Sequence, residues 1–210
     1  MRRSYSGYLI SIEGIDGSGK SSLAKALAEH LGKKGMSVLL TKEPGGTNLG
    51  QALRYLLQTQ KKDVCAKAEF LMFAADRAQH FEELIIPALK QGSIIIADRM
   101  ADSSVAYQGY GRKIGATMIS SINEWAMQGI RPDLTLYLRI NPEQALARVQ
   151  ARNDKAVWSI EQERYDFWQR VIKGYEEIFS QRTNVITLDA MLSIEQLCQQ
   201  ALPAILKGLA

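Results

Sequence analysis

The chain has 210 residues, of which 46% are hydrophobic and 23% are charged, a composition typical of a folded domain rather than a disordered or low-complexity segment. Its net charge of +4 suits anionic ligands, but the 26 basic residues are dispersed among 22 acidic ones, so we expect no nucleic-acid partner. No apolar run reaches the roughly 18 residues of a membrane span, and the distant Cys65 and Cys198 favour a reducing cytoplasm over a disulfide framework or a zinc site. The length predicts a single domain over residues 1–210.

Five short runs rich in β-branched residues are predicted to be strands, and longer stretches with helical periodicity lie between them. The predicted strands cover 7–13, 37–42, 93–98, 133–140 and 184–189. The predicted helices cover about 20–32, 48–58, 66–90, 115–128, 142–152, 160–180 and 193–209. Several strands are apolar on both faces, which predicts an α/β fold with a five-stranded parallel sheet flanked by helices on both faces. Ligands of such sheets bind at the carboxyl ends of the strands.

The stretch EGIDGSGKSS, residues 13–22, follows the first predicted strand and opens the first predicted helix. It satisfies the phosphate-binding pattern G-x-x-x-x-G-K-[ST]. In that pattern the glycines let backbone N–H groups surround a phosphate, the Lys reaches the β- and γ-phosphates, and the Ser hydroxyl binds Mg²⁺. The predicted nucleoside-triphosphate site consists of Gly14, Ile15, Asp16, Gly17, Ser18, Gly19, Lys20, Ser21 and Ser22. GTPases, motor ATPases, nucleoside kinases and nucleotide kinases share this loop, so it leaves the acceptor open.

The ends of the second and third predicted strands carry further candidate residues. The second strand runs into TKEPGGTNLG, residues 41–50, whose Pro and Gly residues predict a tight turn. The third strand ends at Asp98, a carboxylate that can hold the water shell of Mg²⁺ beside the phosphate loop. The adjacent Arg99 can clamp an acceptor phosphate through two parallel N–H groups. Ser21 and Asp98 are therefore the predicted metal ligands.

Three motifs give the chain a resemblance to a known family. KEPGGT at 42–47, together with EGIDGSGKSS and with DRMADSSVAYQG at 98–109, resembles the thymidylate kinases of bacterial type, and the resemblance extends over essentially the whole chain. It implies a P-loop NTPase fold of the nucleotide-kinase type, phosphoryl transfer from ATP to dTMP with Mg²⁺, and a homodimer. The sequence departs from the family at Lys42, where an Arg is usual, so the charge is kept and the bidentate fork is lost.

The resemblance also implies an acceptor site. In the family, the residues at the positions of Phe73 and Arg77 stack on thymine and hydrogen-bond a base carbonyl, and here they lie four residues apart, on one face of the predicted helix. The Tyr at the position of Tyr107 packs where a ribose 2′-hydroxyl would lie, and the acidic residue at the position of Asp16 faces the 3′-hydroxyl. The implied dTMP-binding set is Asp16, Glu43, Pro44, Phe73, Arg77, Arg99, Ser104, Tyr107 and Gln108.

A lid is predicted at about 148–160, where nucleotide kinases carry one between two helices. Phosphoryl transfer between two anions needs cations around the migrating group, yet the residues between the glycines of the phosphate loop include no basic one. The bacterial type of the family supplies Arg from the lid instead, and Arg148 and Arg152 are the candidates. The predicted catalytic set is Lys20, Arg99, Arg148 and Arg152. The chain departs from the family at Ser159, where many members carry an Arg in a D-R-[IF]-E stretch.

Other functions stay open at this stage. A deoxynucleoside kinase needs a carboxylate base near the end of the first strand, and Glu13 meets this requirement, although KEPGGT does not belong to that group. Another nucleoside monophosphate kinase is a further candidate. A P-loop NTPase without a small-molecule acceptor would hydrolyse its nucleotide unaided, and the guanine-reading N-K-x-D motif is absent. His30 and His80 lack partners at catalytic spacing, so we expect them to be structural or on the surface.

Overall fold

The five predicted strands pair into one parallel sheet in the computed structural model, which describes residues 5–59, 64–151 and 163–209. The strands are β1 (Tyr8–Glu13), β2 (Val38–Lys42), β3 (Ile94–Asp98), β4 (Leu134–Arg139) and β5 (Val185–Asp189). Their order across the sheet is β2-β3-β1-β4-β5, and every neighbouring pair is parallel. The predicted α/β class and five-stranded parallel sheet are confirmed.

Helices connect the strands, and most of them begin and end within a few residues of the predicted ranges. They are α1 (Lys20–Lys33), α2 (Asn48–Thr59), α3 (Ala66–His80), α4 (Ile86–Lys90), α5 (Ala101–Ser104), α6 (Ala116–Ala126), α7 (Pro142–Gln150), α8 (Tyr165–Phe179) and α9 (Ile194–Leu209). In the described part of the chain, none of them combines the length and the apolar character that a membrane crossing requires.

Side chains of the central strands alternate between two apolar cores, because successive residues of a strand point to opposite faces of the sheet. Ile10 and Ile96 belong to a core that includes residues of α1 and α9. Leu9 and Ile95 belong to a second core, which includes residues of α4 and of the turn that precedes it. All four side chains are at most 1% exposed. The sheet is therefore covered on both faces, which explains why these strands read as uninterrupted apolar runs.

Two helical segments differ from the prediction. The predicted helix 66–90 contains a π-helical turn at Phe81–Ile85, just before Pro87, which has no N–H to donate to the preceding turn. Residues 101–111 lie outside the predicted helices, yet they form α5 and a second π-helical segment at Val105–Gly111. This segment packs on α8, so tertiary contacts rather than helix propensity account for it.

The predicted lid falls mostly on residues 152–162, which lie outside the described ranges. Arg152 and Ser159 belong to that part of the chain. Arg148 lies within α7 and is described.

The strand register brings three loops together at the carboxyl edge of the sheet. Asp98 pairs with Ile12 across β1 and β3 and with Lys42 across β2 and β3. Backbone hydrogen bonds tie the strand exits together, because Arg99 N donates to Ile12 O at 3.0 Å and Glu43 N donates to Asp98 O at 3.1 Å. The phosphate loop, the KEPGGT turn and Asp98–Arg99 therefore adjoin, as expected for a ligand site at this edge of a parallel sheet.

Candidate active site

A cavity of about 250 Å³ lies where the three loops meet. The phosphate-loop residues that line it are Asp16, Gly17, Gly19, Lys20, Ser21 and Ser22. The other predicted residues that line it are Glu43, Pro44, Phe73, Arg77, Asp98, Arg99, Ser104, Tyr107 and Gln108. Gly14, Ile15 and Ser18 complete the phosphate loop without lining the cavity. The structure thus brings the predicted donor, acceptor and metal residues together around one space.

The phosphate loop leads into the N-terminus of α1, where backbone N–H groups and the helix dipole favour an anion. Gly17 has a φ of 85°, and a Cβ at this position would lie 2.4 Å from Ala145 O, so only Gly fits this close approach. Lys20 is 6% exposed, and its Nζ donates to Ile15 O at 2.8 Å. Burial, and next the Arg99 cation, lowers the pKa of Lys20 to about 8. A phosphate at this position would stabilise the buried ammonium group.

Ser21 and Asp98 meet at the same edge of the cavity, where the Ser21 hydroxyl donates to the Asp98 carboxylate. Hydroxyl and carboxylate oxygens are ligands that Mg²⁺ prefers, and this ion commonly uses one or two protein ligands besides water and substrate phosphates. Within the described ranges, no three His, Cys, Asp or Glu side chains form a metal site by themselves. The Ser21–Asp98 pair therefore fits a Mg²⁺ ion that is shared with the phosphates of a nucleotide.

Arg99 reaches from the end of β3 to the phosphate loop. Its φ is 71°, a left-handed conformation that residues other than Gly rarely adopt and that is often found at functional sites. Its NH2 donates to Asp16 Oδ1 at 2.5 Å and to the Tyr107 hydroxyl at 3.1 Å, and its NH1 donates to Gly14 O at 2.8 Å. Burial opposes the charge, but Asp16 together with Tyr107, Tyr175 and Asp98 outweighs this effect, so the pKa of Arg99 is raised well above its ordinary value. The guanidinium group is thus fixed as a cation beside the loop.

Glu13, the alternative candidate for a catalytic base, is fully buried beneath the turn that carries Arg99. The donors to its two carboxylate oxygens are Ser11 Oγ at 2.8 Å, Met100 N at 2.8 Å, Ser103 Oγ at 2.5 Å and Tyr175 OH at 3.2 Å. Ser103 also accepts a hydrogen bond from Arg99 NH1 at 3.1 Å. Glu13 therefore stabilises the turn that carries Arg99, and it does not line the cavity.

The contribution of Glu13 to the free energy of unfolding is expected to fall as the pH rises from about 5 to about 7. Burial, and next the charge of Asp102, raises the pKa of Glu13 from 4.5 to about 7. Between these values the folded state keeps a proton that the unfolded chain has lost, so the contribution is full below the unfolded pKa and is lost as the pH passes the folded pKa.

The isosteric variant Glu13→Gln cannot ionise, so its free energy of unfolding should depend less on pH, by up to about 3 kcal/mol. Urea unfolding of both proteins at about pH 5 and about pH 8 measures the difference. An identical pH dependence in the two proteins would show that Glu13 does not titrate in this range.

Phe73 and Arg77 contribute the wall of the cavity that α3 provides. Phe73 is partly buried against the first apolar core, and Arg77 is 1% exposed. The Arg77 guanidinium group forms an ion pair with Glu43 at 2.8 Å and donates to Asn123 Oδ1 at 2.6 Å and to Ser104 Oγ at 3.1 Å. Its Nε–H has no acceptor among the described residues. Buried donors without a partner are rare, so a ligand that brings an acceptor oxygen suits this wall.

His80, which is expected to be structural or exposed, is fully buried and supports the KEPGGT turn. Its Nε2 lies 2.7 Å from Thr41 Oγ1, and its Nδ1 lies 3.0 Å from Glu43 Oε1. Asp76, on the same helix, accepts a hydrogen bond from Gly45 N at 2.9 Å. Helix α3 thus fixes the turn, and the turn places Glu43 in its ion pair with Arg77.

Arg148 lies beside the phosphate loop but does not line the cavity. Its NH1 donates to Ala190 O at 2.9 Å and lies 3.5 Å from Gly17 O. The other lid candidate, Arg152, is outside the described residues. A role for either arginine at the migrating phosphoryl group stays a prediction.

Two residues of the site belong to no motif in the sequence. Arg54, on α2, lines the cavity and donates to Pro44 O at 3.0 Å. Asn123, on α6, is 1% exposed and joins Arg77 to the backbone, because its Nδ2 donates to Ala101 O at 3.1 Å. An Arg or Asn within an amphipathic helix is usually exposed, so neither position carries a local signal of its role.

The chain is similar to proteins of one family over nearly its whole length. The family model described as thymidylate kinase matches residues 12–201. The chain is 44% identical over 192 residues to the thymidylate kinase of Halothermothrix orenii strain H 168, and the alignment covers 91% of the chain and 92% of the relative. It is 41% identical over 192 residues to the thymidylate kinase of Exiguobacterium sp. strain AT1b, with 90% of each chain covered. The region matched by the family model includes all three loops around the cavity.

Proposed function

This chain belongs to the thymidylate kinase family, and we propose that it transfers the γ-phosphoryl group of ATP to dTMP, giving dTDP and ADP. The observation that carries this proposal is that the phosphate loop, Phe73 and Arg77 line one and the same cavity. A donor site and an acceptor site that share one space allow direct, in-line transfer between two phosphates.

The donor side of the cavity is the phosphate loop. Lys20 and the backbone N–H groups at the start of α1 bind the β- and γ-phosphates of ATP. Ser21 and Asp98 would hold Mg²⁺, which, when bound, neutralises charge on the phosphates during transfer. The buried ammonium of Lys20 is suited to this role, because the anion replaces the solvation that burial removes.

The acceptor side begins at Arg99. Its guanidinium group clamps the phosphate of dTMP, and Arg54, which lines the same cavity, supplies a second cation. Asp16 and Tyr107 both accept hydrogen bonds from Arg99, and they flank the deoxyribose. Asp16 accepts a hydrogen bond from the 3′-hydroxyl. Because Tyr107 is 5% exposed and its ring is packed against aromatic neighbours, it would resist displacement by a ribose 2′-hydroxyl.

The acceptor is already an ionised phosphate, so the reaction needs no general base. Glu13 is enclosed by four hydrogen-bond donors and is fully buried, so it cannot take a proton from a substrate hydroxyl. This geometry disfavours the deoxynucleoside kinase alternative, in which the acceptor is a hydroxyl.

Phe73→Ala is expected to lower kcat/KM for dTMP by about tenfold, since stacking of a base on an aromatic ring contributes roughly 1–3 kcal/mol. The KM for ATP should change little, because ATP is proposed to bind to the phosphate loop and not to this ring. Steady-state kinetics with each substrate varied in turn measure both effects. Lys67→Ala, at an exposed position of the same helix, is the control. Equal weakening of both substrates would show that Phe73 acts only in the core.

A coupled ADP-release assay over dTMP, dUMP, UMP, dCMP, dGMP and thymidine tests the proposed function. We expect dTMP to give the highest kcat/KM and thymidine to give no turnover. A preference for thymidine would identify a nucleoside kinase. ADP release that does not depend on any acceptor would identify an NTPase without a small-molecule acceptor.

The remaining cation at the migrating group is proposed to come from the lid, with Arg148 and Arg152 as candidates. Arg148 already lies at the phosphate loop, 3.5 Å from Gly17 O. A comparison of kcat for Arg148→Met and Arg152→Met identifies which of them acts in the chemical step.

We also propose that the whole chain works as one nucleoside-monophosphate-kinase-like domain, in the cytoplasm and as a homodimer. Cys65 and Cys198 are free thiols, as a reducing compartment favours. Large exposed apolar side chains occur on neighbouring helices: Tyr55 on α2, Leu71 on α3, and Met118 and Trp125 on α6. Clusters of this kind mark association surfaces, and sedimentation velocity measures the oligomeric state.

A further inference from the structure

We propose that Glu69 decides which group of the Gln108 amide faces the base, and thereby makes the enzyme prefer a pyrimidine with an N3–H over cytosine. The inference rests on the proposed function, because it concerns how the same cavity selects its acceptor. Glu69 would be a positioning residue that acts through Gln108 and does not itself line the cavity.

Gln108 is well placed to read a base. It is 2% exposed, it lines the cavity, and its Nε2 donates to Glu69 Oε1 at 2.8 Å. Glu69, on α3, is 8% exposed and accepts two further hydrogen bonds from Arg112, at 3.3 Å to Oε1 and 3.0 Å to Oε2. Arg112 also forms an ion pair with Glu163. The Gln108 amide is thus tied to a carboxylate that is itself held by an arginine.

This arrangement fixes the polarity of the Gln108 amide. A Gln side chain can turn either its NH₂ group or its carbonyl oxygen toward a partner. A carboxylate paired with Arg can only accept hydrogen bonds, so the NH₂ group of Gln108 must face Glu69. The carbonyl oxygen, beside the second N–H of the same amide, is then the acceptor that Gln108 offers to a base in the cavity.

A fixed acceptor at this position distinguishes the pyrimidines by their Watson–Crick edges. Thymine and uracil present an N3–H donor between two carbonyl oxygens, whereas cytosine presents an unprotonated N3 beside an amino group. The Gln108 oxygen can accept from the N3–H of thymine, and Arg77 can donate to a thymine carbonyl. Against cytosine, the Gln108 oxygen meets a lone pair, and a buried polar group left without a partner is a strong source of discrimination.

The variant Glu69→Gln tests this inference, because it keeps the size of the side chain and adds a donor. Gln108 can then turn its NH₂ group toward the base. We expect the ratio of kcat/KM for dTMP to kcat/KM for dCMP to fall by about tenfold. Some preference for dTMP should remain, because Arg77 still disfavours the amino group of cytosine. The ratio for dTMP to dUMP should stay unchanged, because these two bases share the same edge.

Two controls separate positioning from a general structural effect. Glu163→Gln removes the other carboxylate from Arg112 without touching Gln108, so it should leave the dTMP to dCMP ratio unchanged. In a Gln108→Met background, Glu69→Gln should have no further effect on this ratio, because the amide through which it acts is absent.

An unchanged dTMP to dCMP ratio in folded Glu69→Gln would overturn the inference, even if its turnover of dTMP fell. A wild-type protein that phosphorylates no nucleoside monophosphate would instead overturn the proposed function. If the Glu69→Gln variant is not folded, as judged by a lack of cooperative unfolding, NMR of the wild-type complex with labelled dTMP and labelled glutamine provides the test. A through-hydrogen-bond coupling between dTMP N3 and the Gln108 side-chain carbonyl carbon is expected. The absence of this coupling, with one from Gln108 Nε2 to a base carbonyl carbon in its place, would overturn the inference.

Discussion

Replacing Lys20 with Ala is expected to lower kcat/KM by about 10³-fold or more, because preorganised charge at a transferring phosphoryl group is among the largest contributions to catalysis of this kind. Lys20 is buried, and its Nζ lies at 2.8 Å from the backbone of the phosphate loop, at the centre of the donor site. No other Lys or Arg occurs in the loop sequence, residues 13–22, so no neighbour within the loop replaces the lost charge.

The stability of the Lys20→Ala variant should change little, and this separates the effect on catalysis from unfolding. Burial lowers the pKa of Lys20 to about 8, which means that the folded state disfavours its charge. Removal of the cation relieves this desolvation and offsets the packing that the side chain provides. Lys25→Ala, at an exposed position of the same helix, is the matched control for both kinetics and thermal unfolding. Near-wild-type ADP release by Lys20→Ala would contradict the assignment of the phosphate loop.

The parts of the fold and site that the sequence predicts are those specified by local patterns. The phosphate loop has fixed spacing, and the register of β1 and β3 then places Asp98 beside it. The strands are apolar on both faces because the sheet is covered on both faces, and this pattern is visible without a structure. Residues 101–111 differ, because their Ser and Gly residues and Val105 favour helix only weakly and the helical form depends on packing against α8.

The contacts that support Arg77, Glu43 and Gln108 at the cavity could not be predicted, because they join residues that are distant along the chain. Arg77 and Asn123 are 46 positions apart, Glu43 and His80 are 37 apart, and Glu69 and Gln108 are 39 apart. No periodicity or motif specifies such pairs, since each depends on how α3 packs against the other elements. Family resemblance identifies most of the residues that line the cavity, whereas Arg54 and the residues behind the cavity wall become apparent only from the packing.

Replacing Arg99 with Met is expected to lower kcat/KM for dTMP by about 10²-fold to 10³-fold, with a smaller effect on the KM for ATP. Two effects add. The proposed bidentate clamp on the acceptor phosphate is lost, and Asp16 loses the cation that lies 2.5 Å away. Burial favours a neutral Asp16, but Arg99 and Lys20 outweigh it and hold the pKa of Asp16 below its ordinary value. Without Arg99, the Asp16 carboxylate would repel an incoming phosphate.

A double-mutant cycle separates these two effects. Asp16→Asn in the Arg99→Met background removes the repulsive charge, so it should lower the KM for dTMP part of the way back to the wild-type value. Asp16→Asn alone should instead raise the KM for dTMP, because it removes the proposed acceptor for the 3′-hydroxyl. Arg99→Lys keeps a cation but loses the planar guanidinium group, so its kcat/KM for dTMP should lie between the values of wild type and Arg99→Met. Arg131→Met, at an exposed ion pair with Glu124, is the control. Additive effects in the cycle would show that Asp16 does not face the acceptor phosphate, and the clamp alone would then account for the loss.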